Sequence, residues 1–413
     1  MSSQHSHNIS FDNTEYAFDY KSDKELKKAH FLFSAMGMSL FVKFGLTFMP
    51  LAIKWKIPFI KFLIRKTIFS QFVGGETLEE TKPVVDKLEK YGVNVILDYG
   101  VEGGVGEVAF DESTHQFLKV IEYASKQKNI PFISIKITGV SRFGLLEKID
   151  TFMLSENSTG IFDRYDQAIK KLDDQEQQEW GNVVERLMKI GQAAFESNVA
   201  LLVDAEESWI QEPVDALAFK MMQSFNSNSC IIYNTYQLYR HDRLDFLTYS
   251  FSLAEQHHFI LGAKLVRGAY MEKERNRALS NGYRSPIQST KENTDKDYDD
   301  ALAFCISNIN KIALIVASHN EESSLYAVQL LSEKNIPSNH PHVHYSQLFG
   351  MSDNITFNLA KSGCSVSKYL PFGPIKDVVP YLMRRAQENS SVAGQTGREL
   401  GLIKKELNRR RAC

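Results

Sequence analysis

The sequence predicts an α/β fold in which eight strands and the helices between them close into a (βα)8 barrel. From Gly92 onward, short apolar runs rich in β-branched residues alternate with longer amphipathic stretches, which is the pattern of βα units around a parallel sheet. The length of 413 residues also fits one such barrel with a helical N-terminal extension. The eight candidate strands cover 94–100, 132–137, 200–205, 230–236, 262–268, 312–318, 342–345 and 365–370.

Amphipathic helices are predicted between these strands. Pro131 and Pro337 follow two of the helical patterns and mark where those helices stop. The segment 138–175 is rich in charge and glycine and exceeds an ordinary loop in length, so we expect either a small helical excursion or a lid. The clearest helical patterns cover 114–127, 175–197, 213–225, 295–310 and 321–335.

The chain outside the barrel divides by charge. Residues 1–25 are acidic and resemble neither a signal peptide nor an arginine-rich transit peptide, so we expect a flexible leader. Residues 26–90 are expected to form a basic, apolar helical region, since no Asp or Glu occurs between Leu26 and Gly75. The barrel domain is assigned to 91–395, and a basic C-terminal tail to 396–413.

One apolar stretch in this region, 31–53, is long enough for a membrane-spanning helix. Gly37, Lys43, Gly45 and Pro50 argue against a span, and the residues that follow mix lysine and arginine with aromatic residues, as helices at a lipid interface do. Three interpretations stay open, in this order of preference: helices packed against the main domain, a peripheral membrane contact, and a true span.

Composition excludes several classes of protein. Lys and Arg number 48 against 50 Asp and Glu, which gives a net charge of -2 and predicts no binding of nucleic acid. The four cysteines form no CxxC pair, which argues against a zinc ribbon, a redox dithiol and a secreted disulfide scaffold. We therefore expect a reducing, cytoplasmic location.

Nearly every candidate strand ends in a polar side chain. In such barrels the carboxyl ends of the strands carry the chemistry, so this pattern predicts a mouth that holds a ligand. Lys136 is the most informative residue, because a lysine within the apolar run SIKI has no evident structural purpose. The alternative is a salt bridge with Asp204 that closes the mouth. The polar strand-end residues are Asp98, Glu102, Lys136, Asp204, Glu206, Glu207, Asn234, Gln237, Arg267, His319, Asn320, Gln347 and Tyr369.

The final helical segment of the barrel carries the densest polar cluster. Gly373 and Pro374 supply a turn and a helix start, and Arg384, Arg385 and Glu388 follow. Helical spacing lets the glutamate orient either guanidinium, and the two forked side chains can converge on one carboxylate. An amphipathic surface helix with ion pairs explains the same residues.

A cofactor site is suggested after the strand at 262–268. The small residues Gly268 and Ala269 let a cofactor approach the backbone closely. No GxGxxG or Walker A sequence occurs, so neither a Rossmann nor a P-loop site is expected. Ser289, Thr290 and Lys291 could grip a pyrophosphate, or they could form a solvated loop.

A competing metal site is suggested by three alternating histidines, His340, His342 and His344. Their spacing places them on one face of a strand, as in metal-dependent barrel hydrolases. They stand at the start of the strand, the end away from the mouth. Further ligands for such a site would come from Asp98, Asp204 and His319.

Several motifs taken together resemble the proline dehydrogenase family, over most of the chain from Phe72 to Asn389. They are SIKI, LLVDAEES, IYNTYQLY, KLVRGAY, ASHN, QLFGM and YLPFGPIKDVVPYLMRRAQEN, in this order. The resemblance implies a distorted (βα)8 barrel of the TIM type with non-covalently bound FAD. It also implies oxidation of L-proline to Δ1-pyrroline-5-carboxylate, the first step of proline catabolism, with electrons passed to a membrane quinone.

The resemblance also implies roles in substrate binding. Arg384 and Arg385 match the pair that binds the proline carboxylate, with Glu388 supporting them and Lys136 meeting the same group. Glu102 resembles a gate acid that pairs with Arg384. A bulky phenol at Tyr369 should crowd a ring hydroxyl, so hydroxyproline is expected to be the poorer substrate. The positions that shape the substrate pocket are Asp204, Tyr270, Leu348, Tyr369 and Tyr381.

For FAD, the resemblance implies contacts along several strand ends. Lys264 stands where many bacterial relatives have an arginine beside the hydride-accepting nitrogen, and Asn234 where they have a glutamine near the pyrimidine ring. Both departures resemble the eukaryotic-type branch. The implied FAD contacts are Asn234, Lys264, Val266, Gly268, Ala269, Ser289, Lys291, Ala317, Ser318, His319, Asn320, Ser346 and Gln347.

We therefore expect a monofunctional, FAD-dependent enzyme without a metal. The expected location is the cytoplasm, peripheral on the inner face of the membrane, or the mitochondrion in a eukaryote. Two alternatives remain: a member of the same family that acts on another cyclic secondary amine, and a metal-dependent barrel hydrolase.

Overall fold

The computed structural model describes residues 9–36, 59–100, 104–391 and 395–412, without the side chains of 386–391 and 395–396. The predictions for Glu102, for most of the stretch 31–53 and for the side chain of Glu388 therefore lie outside the described residues. The chain forms two compact units: Met1–Val101 with Tyr345–Cys413, and Glu102–His344. This division differs from the predicted boundaries, because both units contribute strands to the barrel.

Eight parallel strands close into a barrel in chain order, so the predicted fold is confirmed. Each predicted strand is present, with ends shifted by a few residues. The longest shift is at β7, where the predicted strand stops before three residues that continue the ladder beside β8. The strands are β1 (Asn94–Tyr99), β2 (Phe132–Ile135), β3 (Ala200–Val203), β4 (Ile232–Gln237), β5 (Leu261–Val266), β6 (Ile312–Ala317), β7 (Val343–Leu348) and β8 (Val366–Phe372).

In the unit Glu102–His344, helices alternate with β2 to β6. The segment 138–175 is a helical excursion, as one of the two predicted alternatives had it: a 3-10 turn at Ile137–Gly139 and two helices. The helices are α6 (Glu107–Ser125), α7 (Phe143–Leu154), α8 (Ile161–Lys170), α9 (Asp174–Ser197), α10 (Gln211–Phe225), α11 (Arg243–Gln256), α12 (Met271–Asn281), α13 (Lys291–Ser307) and α14 (Glu321–Glu333).

The other unit combines both ends of the chain with β1, β7 and β8. A π turn, Arg65–Phe69, joins two of its short helices. The helices are α1 (Thr14–Phe18), α2 (Asp23–Met36), α3 (Ile60–Ile64), α4 (Ser70–Phe72), α5 (Leu78–Glu89), α15 (Asp353–Lys361), α16 (Ile375–Ser391) and α17 (Gln395–Ala412).

The two chain ends pair by charge within this unit. The acidic leader is folded from residue 9 on, and Phe18 is buried there. Arg398 lies 2.7 Å from Asp12, and Arg410 lies 2.9 Å from Asp23. The leader and the tail, expected as a flexible segment and a separate basic tail, are therefore opposite-charged partners over their described residues.

The basic, apolar region packs one face into the core of the same unit. Leu26 and Phe33 of α2 are buried in one apolar cluster with Phe72, and with Val378 and Leu382 of α16. This packing supports the first of the three interpretations for the described part of the region. No helix in the described ranges combines the length and the apolar character that crossing a membrane requires.

Candidate active site

Strand register shows which side chains face the barrel interior. Register partners in parallel strands share a face, and successive residues alternate between faces. Lys264 of β5 is the register partner of Thr235 in β4. The Lys264 ammonium also lies 2.6 Å from the Asp204 carboxylate, which follows β3. A contact that passes over β4 in this way lies on the concave face, so these three side chains point inward.

Asn234 consequently faces outward, away from the predicted mouth. Its amide nitrogen donates to the Asp215 carboxylate on α10 at 2.8 Å, and the residue is fully buried. Asp215 in turn accepts from Arg243 of α11 at 2.7 Å. The inferred contact of the Asn234 side chain with a cofactor is corrected: this amide ties β4 to the outer helical layer.

Gln347 requires the same correction. Its amide oxygen accepts from the Thr356 hydroxyl of α15 at 2.8 Å. Its register partner Lys368 also turns to that layer, where its ammonium lies 2.9 Å from Asp353. The neighbouring register pair, Leu348 with Tyr369, therefore lies on the inner face, where the resemblance requires it.

The inward pair of Lys264 and Asp204 is well shielded from water. Only 7% of the lysine side chain and 13% of the aspartate side chain are exposed. Opposite charges in such a place attract each other strongly, so the two groups stabilise each other. The alternative partner for Asp204 was Lys136, which stands half-buried directly after β2.

Gln237 is the inward amide of β4, three residues beyond Asn234. Its amide nitrogen donates to the Glu206 carbonyl at 2.7 Å and to the Tyr239 hydroxyl at 2.9 Å. Its amide oxygen accepts from Arg240 at 3.3 Å. The family resemblance implied the cofactor contact for Asn234 instead. The alternation of faces, counted along the strand from Thr235, is the signal that separates the two amides.

Arg267 organises the strand ends of β5 and β6. Its guanidinium donates to the Ser318 hydroxyl at 2.8 Å and to the Ser323 hydroxyl at 2.6 Å, and it lies 3.9 Å from the centre of the Tyr298 ring. The next residue, Gly268, has a φ of 72°, a conformation that favours glycine. The backbone therefore bends sharply here, beside the predicted FAD contacts.

The polar residues before α13 keep local partners. The Thr290 hydroxyl caps the helix by accepting from the Asn293 backbone N–H at 3.2 Å. The Ser289 hydroxyl accepts from the Asn293 side-chain amide at 3.1 Å. Lys291 is exposed and forms an ion pair with Asp295. A helix N-terminus with adjacent hydrogen-bond donors suits a phosphate group. The local partners of Ser289 and Lys291 are equally consistent with a solvated loop.

Helix α16 begins directly after the Gly373–Pro374 turn, as predicted. Tyr381 and Arg385 are buried one turn apart, with the guanidinium carbon 5.2 Å from the centre of the ring. Arg384 is half-buried. The helix therefore presents a shielded guanidinium that lies over an aromatic ring. Such a guanidinium binds a planar carboxylate better than a freely solvated arginine does.

The histidine run does not gather ligands for a metal ion. His344 is buried against Phe132, with ring centres 4.8 Å apart, and burial lowers its pKa to about 3. A ring nitrogen of His342 lies 2.7 Å from the Ile309 carbonyl oxygen. In the described part of the chain, no group of three His, Cys, Asp or Glu side chains could hold a metal. The metal-dependent hydrolase thus loses the observation on which it rested.

The donor groups of the unit Glu102–His344 fit FAD. The reduced flavin is an anion and the pyrophosphate carries two charges, so a host site needs cations and hydrogen-bond donors. Lys264 faces inward, and the backbone bends at Gly268, next to the exposed residue Ala269. The Ser318 hydroxyl and the cap of α13 lie at the following strand and helix ends.

The sequence of this chain is similar to those of known proteins over most of its length. The family model described as Proline dehydrogenase matches residues 81–398. The chain is 34% identical over 403 residues to Proline dehydrogenase 1, mitochondrial, of Dictyostelium discoideum, covering 90% of this chain and 68% of that protein. It is also 34% identical to Hydroxyproline dehydrogenase of Xenopus laevis, covering 84% and 78%.

Among solved structures, the chain resembles proline utilization A (PutA) from Bdellovibrio bacteriovorus inactivated by N-propargylglycine, with a TM-score of 0.68 and 19% identity. The match covers 93% of this chain and 37% of that one, so the chain spans little more than a third of its length. That likeness supports the barrel fold. Because the family model covers most of the barrel and the relatives extend the match, the chain belongs to the proline dehydrogenase family.

Proposed function

We propose that this protein oxidises L-proline to Δ1-pyrroline-5-carboxylate with FAD as the hydride acceptor. The observation that carries the proposal is the shielded Lys264–Asp204 pair on the inner face of the barrel. This pair belongs to a chain whose relatives include a protein named Proline dehydrogenase 1. A fixed positive charge in a water-poor site stabilises the negative charge that a reduced flavin develops.

The reaction removes a hydride from the ring carbon beside the nitrogen and a proton from the nitrogen, and a C=N bond forms between the two atoms. FAD supplies the two-electron acceptor when bound. The protein's task is to hold the ring in one orientation, which is worth a large factor in rate. Arg384 and Arg385 are proposed to hold the carboxylate, together with Lys136, and Glu388 to support the arginines.

Apolar and aromatic side chains complete the proposed substrate environment. Leu348 and Tyr369 lie on the inner face of neighbouring strands, and Tyr381 packs in the same unit beneath Arg385. Such walls exclude water and favour the neutral amine, from which hydride loss is easier. Tyr270 is proposed to line the substrate from the turn after β5.

The residues proposed to hold FAD lie in or directly after β5 and β6, at the start of α13 and in β7. Asn234 and Gln347 are omitted because their side chains face the outer helices. The proposed set is Lys264, Val266, Gly268, Ala269, Ser289, Lys291, Ala317, Ser318, His319, Asn320 and Ser346.

The visible absorption spectrum tests this function directly. The purified protein, loaded with FAD, should show flavin bands that bleach when L-proline is added without oxygen. Flavin bands that proline leaves unchanged would remove the substrate assignment. A protein that cannot be reconstituted with FAD would overturn the cofactor as well.

Hydroxyproline is the second candidate substrate, since one relative is named Hydroxyproline dehydrogenase. The inward, buried position of Tyr369 favours proline, because the phenol leaves little room for a ring hydroxyl. We expect kcat/KM to be at least about tenfold higher for proline, equivalent to a modest steric penalty. Tyr369→Ser should narrow the ratio, and a ratio near one in the unmodified protein would favour the other amine.

We further propose that the electrons pass to a quinone and that the protein contacts the membrane peripherally. Phe31, Phe59, Phe62 and Leu63 are exposed near the end of α2 and along α3, and Lys66 lies over the Phe62 ring. Aromatic side chains beside lysines are typical of surfaces that bind anionic lipid. The proposed location is the inner face of a bacterial membrane or, as in the relatives named mitochondrial, the mitochondrion.

Sedimentation with vesicles tests the membrane contact. Replacing Lys61 and Lys66 together by Glu should abolish co-sedimentation with vesicles that contain phosphatidylglycerol, since the lysines attract the anionic headgroups. Lys334→Glu, at an exposed position directly after α14, is the control for a surface lysine elsewhere. Arg65 is left unchanged because it pairs with Glu76 at 2.6 Å. Sedimentation that survives the double change would count against the contact.

A further inference from the structure

Helix α12 follows Tyr270 directly and is fastened by a buried carboxylate. Only 1% of Glu274 is exposed. One of its carboxylate oxygens accepts from the Ser208 backbone N–H, and the other accepts from the Ser208 hydroxyl, both at 2.7 Å. Ser208 opens the 3-10 turn after β3. Glu274 therefore joins the chain segment after β5 to the one after β3.

The same face of α12 makes two further contacts with that turn. Lys273 pairs with Glu207, which precedes Ser208. The Arg277 guanidinium carbon lies 4.1 Å from the centre of the Trp209 ring, and Arg277 also pairs with Glu147 of α7. Spacings of three and four residues put these side chains on one side of the helix. The helix is thus docked along its length onto the segment after β3.

Apolar packing contributes little to this docking. The buried residues of α12 are Glu274 and Ala278, while Leu279 is 84% exposed. A helix with so little buried apolar surface owes its position to its polar contacts. Glu274 is the most buried of these contacts, and burying it would be costly if its two hydrogen bonds were lost.

Tyr270 stands where this helix begins. Its carbonyl accepts from the Glu274 backbone N–H at 3.0 Å. The Tyr270 backbone is therefore tied to the first turn of α12, which Glu274 attaches to the segment after β3.

We propose that Glu274 is a positioning residue that fixes Tyr270 for substrate binding. The proposal rests on the proposed function, in which Tyr270 lines the substrate. Without the Glu274 carboxylate, α12 loses its buried attachment, and the residue at its start shifts. Such a shift weakens the binding of a small rigid ring far more than it alters the electron acceptor.

Two substitutions weaken the attachment of α12 to different extents. Ser208→Ala removes one of the two hydrogen bonds and leaves the backbone donor. Glu274→Gln keeps an oxygen for the backbone N–H, but it places an NH2 donor against the Ser208 hydroxyl and removes the negative charge that strengthens both hydrogen bonds. We expect KM for proline to rise on the order of tenfold for Glu274→Gln and less for Ser208→Ala, with a smaller change in kcat. FAD content per chain should remain that of the unmodified protein. Glu255→Gln, which breaks an exposed pair with Lys311, is the matched control and should leave KM unchanged.

A double change shows whether Glu274 acts through Tyr270. In a Tyr270→Ala background, Glu274→Gln should have little further effect on KM, because the side chain that it positions is gone. Two effects on KM that simply multiply would overturn the proposal. So would a Glu274→Gln variant that loses thermal stability or FAD while KM stays constant.

Hydrogen exchange separates failure of this proposal from failure of the proposed function. Amides of 270–281 should exchange faster in Glu274→Gln than in the unmodified protein, whatever the substrate is. Bleaching of the unmodified protein by proline is measured first and decides the function by itself. Unchanged exchange over 270–281 would show that Glu274 does not fasten the helix, and the positioning role would be rejected.

Discussion

Lys264 and Asp204 form a shielded pair of opposite charges on the inner face of the barrel. The two atoms that meet are 2.6 Å apart, and both side chains are largely shielded from water. The pair links the ends of β3 and β5 across β4. One ammonium group therefore serves both the fold and the proposed chemistry.

Replacing Lys264 by Met should remove the ammonium group that lies 2.6 Å from the Asp204 carboxylate. We expect the free energy of unfolding to fall by about 3 kcal/mol, the cost typical of breaking a shielded pair. Lys264→Arg keeps the charge and should retain most of the stability. Chemical denaturation of the three proteins checks this. Equal stability of the Met variant and the unmodified protein would contradict the buried pair.

At this scale the sequence predicted residue types better than their directions. The polar end of β4 is evident in IYNTYQ, yet polar residues occupy both faces of that strand, so the run does not reveal the phase of the pleat. Asn234 and Gln347 point to outer helices because their hydrogen-bond partners, Asp215 and Thr356, lie on those helices. Those partners lie on other elements, and only the assembled fold brings them close.

Both faces of strand β8 carry buried polar side chains. Tyr369 points inward, and its neighbour Lys368 is fully buried on the outer side. The Lys368 ammonium lies 2.9 Å from Asp353, whose other oxygen accepts from Tyr20 at 2.7 Å and from Lys21 at 2.8 Å. A shielded cluster of charges thus joins β8 and α15 to the N-terminal segment.

The C-terminal helix adds a second acid to this cluster. Glu399 of α17 accepts from the Ser352 backbone N–H. Burial, with the nearby charge of Asp353, raises the pKa of Glu399 from 4.5 to about 7, although Lys21 and Lys368 act in the opposite direction. These lysines also hold the pKa of Asp353 well below its usual range.

Glu399 should therefore make the protein less stable as the pH rises from about 4.5 to about 7. In this window the folded protein keeps the proton that the unfolded chain has released, which corresponds to a loss of about 3 kcal/mol across the window. Asp353 acts in the other direction, and its contribution is lost at lower pH. Glu399→Gln keeps an acceptor for Ser352 and should flatten the decline.

Urea denaturation at pH 5 and at pH 7.5 measures this slope. The Glu399→Gln variant should be more stable than the unmodified protein at pH 7.5, and the two should have about the same stability at pH 5. Parallel pH dependence of the two proteins would show that Glu399 is ionised throughout the range.

Elements were predicted more successfully than residue directions. All eight strands and the five named helices exist, because apolar runs of 4 to 8 residues bounded by helical patterns are a local signal. The helical start after Gly373 and Pro374 is equally local. The attachment of α12 through Glu274 was not predicted, since its partner Ser208 lies far away in the sequence.

Across the whole molecule, the first and last described helices belong to one unit. Arg410 of α17 donates to the Phe18 and Lys21 carbonyls at 2.8 Å, and Leu402 and Ile403 are buried in the same apolar cluster as Phe18. The acidic and basic compositions of the two ends predicted separate segments. Their complementary charges explain why they pair.

Deleting residues 395–413 should destabilise this unit by several kcal/mol, roughly the burial energy of two aliphatic side chains plus the lost hydrogen bonds. We expect a lower melting temperature and stronger binding of a hydrophobic dye. Deleting only 411–413 removes residues 411 and 412, which are exposed, and should change little. A longer deletion that melts at the temperature of the full chain would contradict the pairing of the ends.

The division of the chain also sets the order in which a ribosome can complete it. The unit Glu102–His344 is one continuous segment, whereas the other unit needs residues from both extremities. During synthesis, Phe18 and Leu26 emerge early, but α17, which covers them, emerges last. Newly made N-terminal segments therefore keep apolar surface uncovered until α17 has been synthesised, and we expect the need for chaperones to be greatest in this interval.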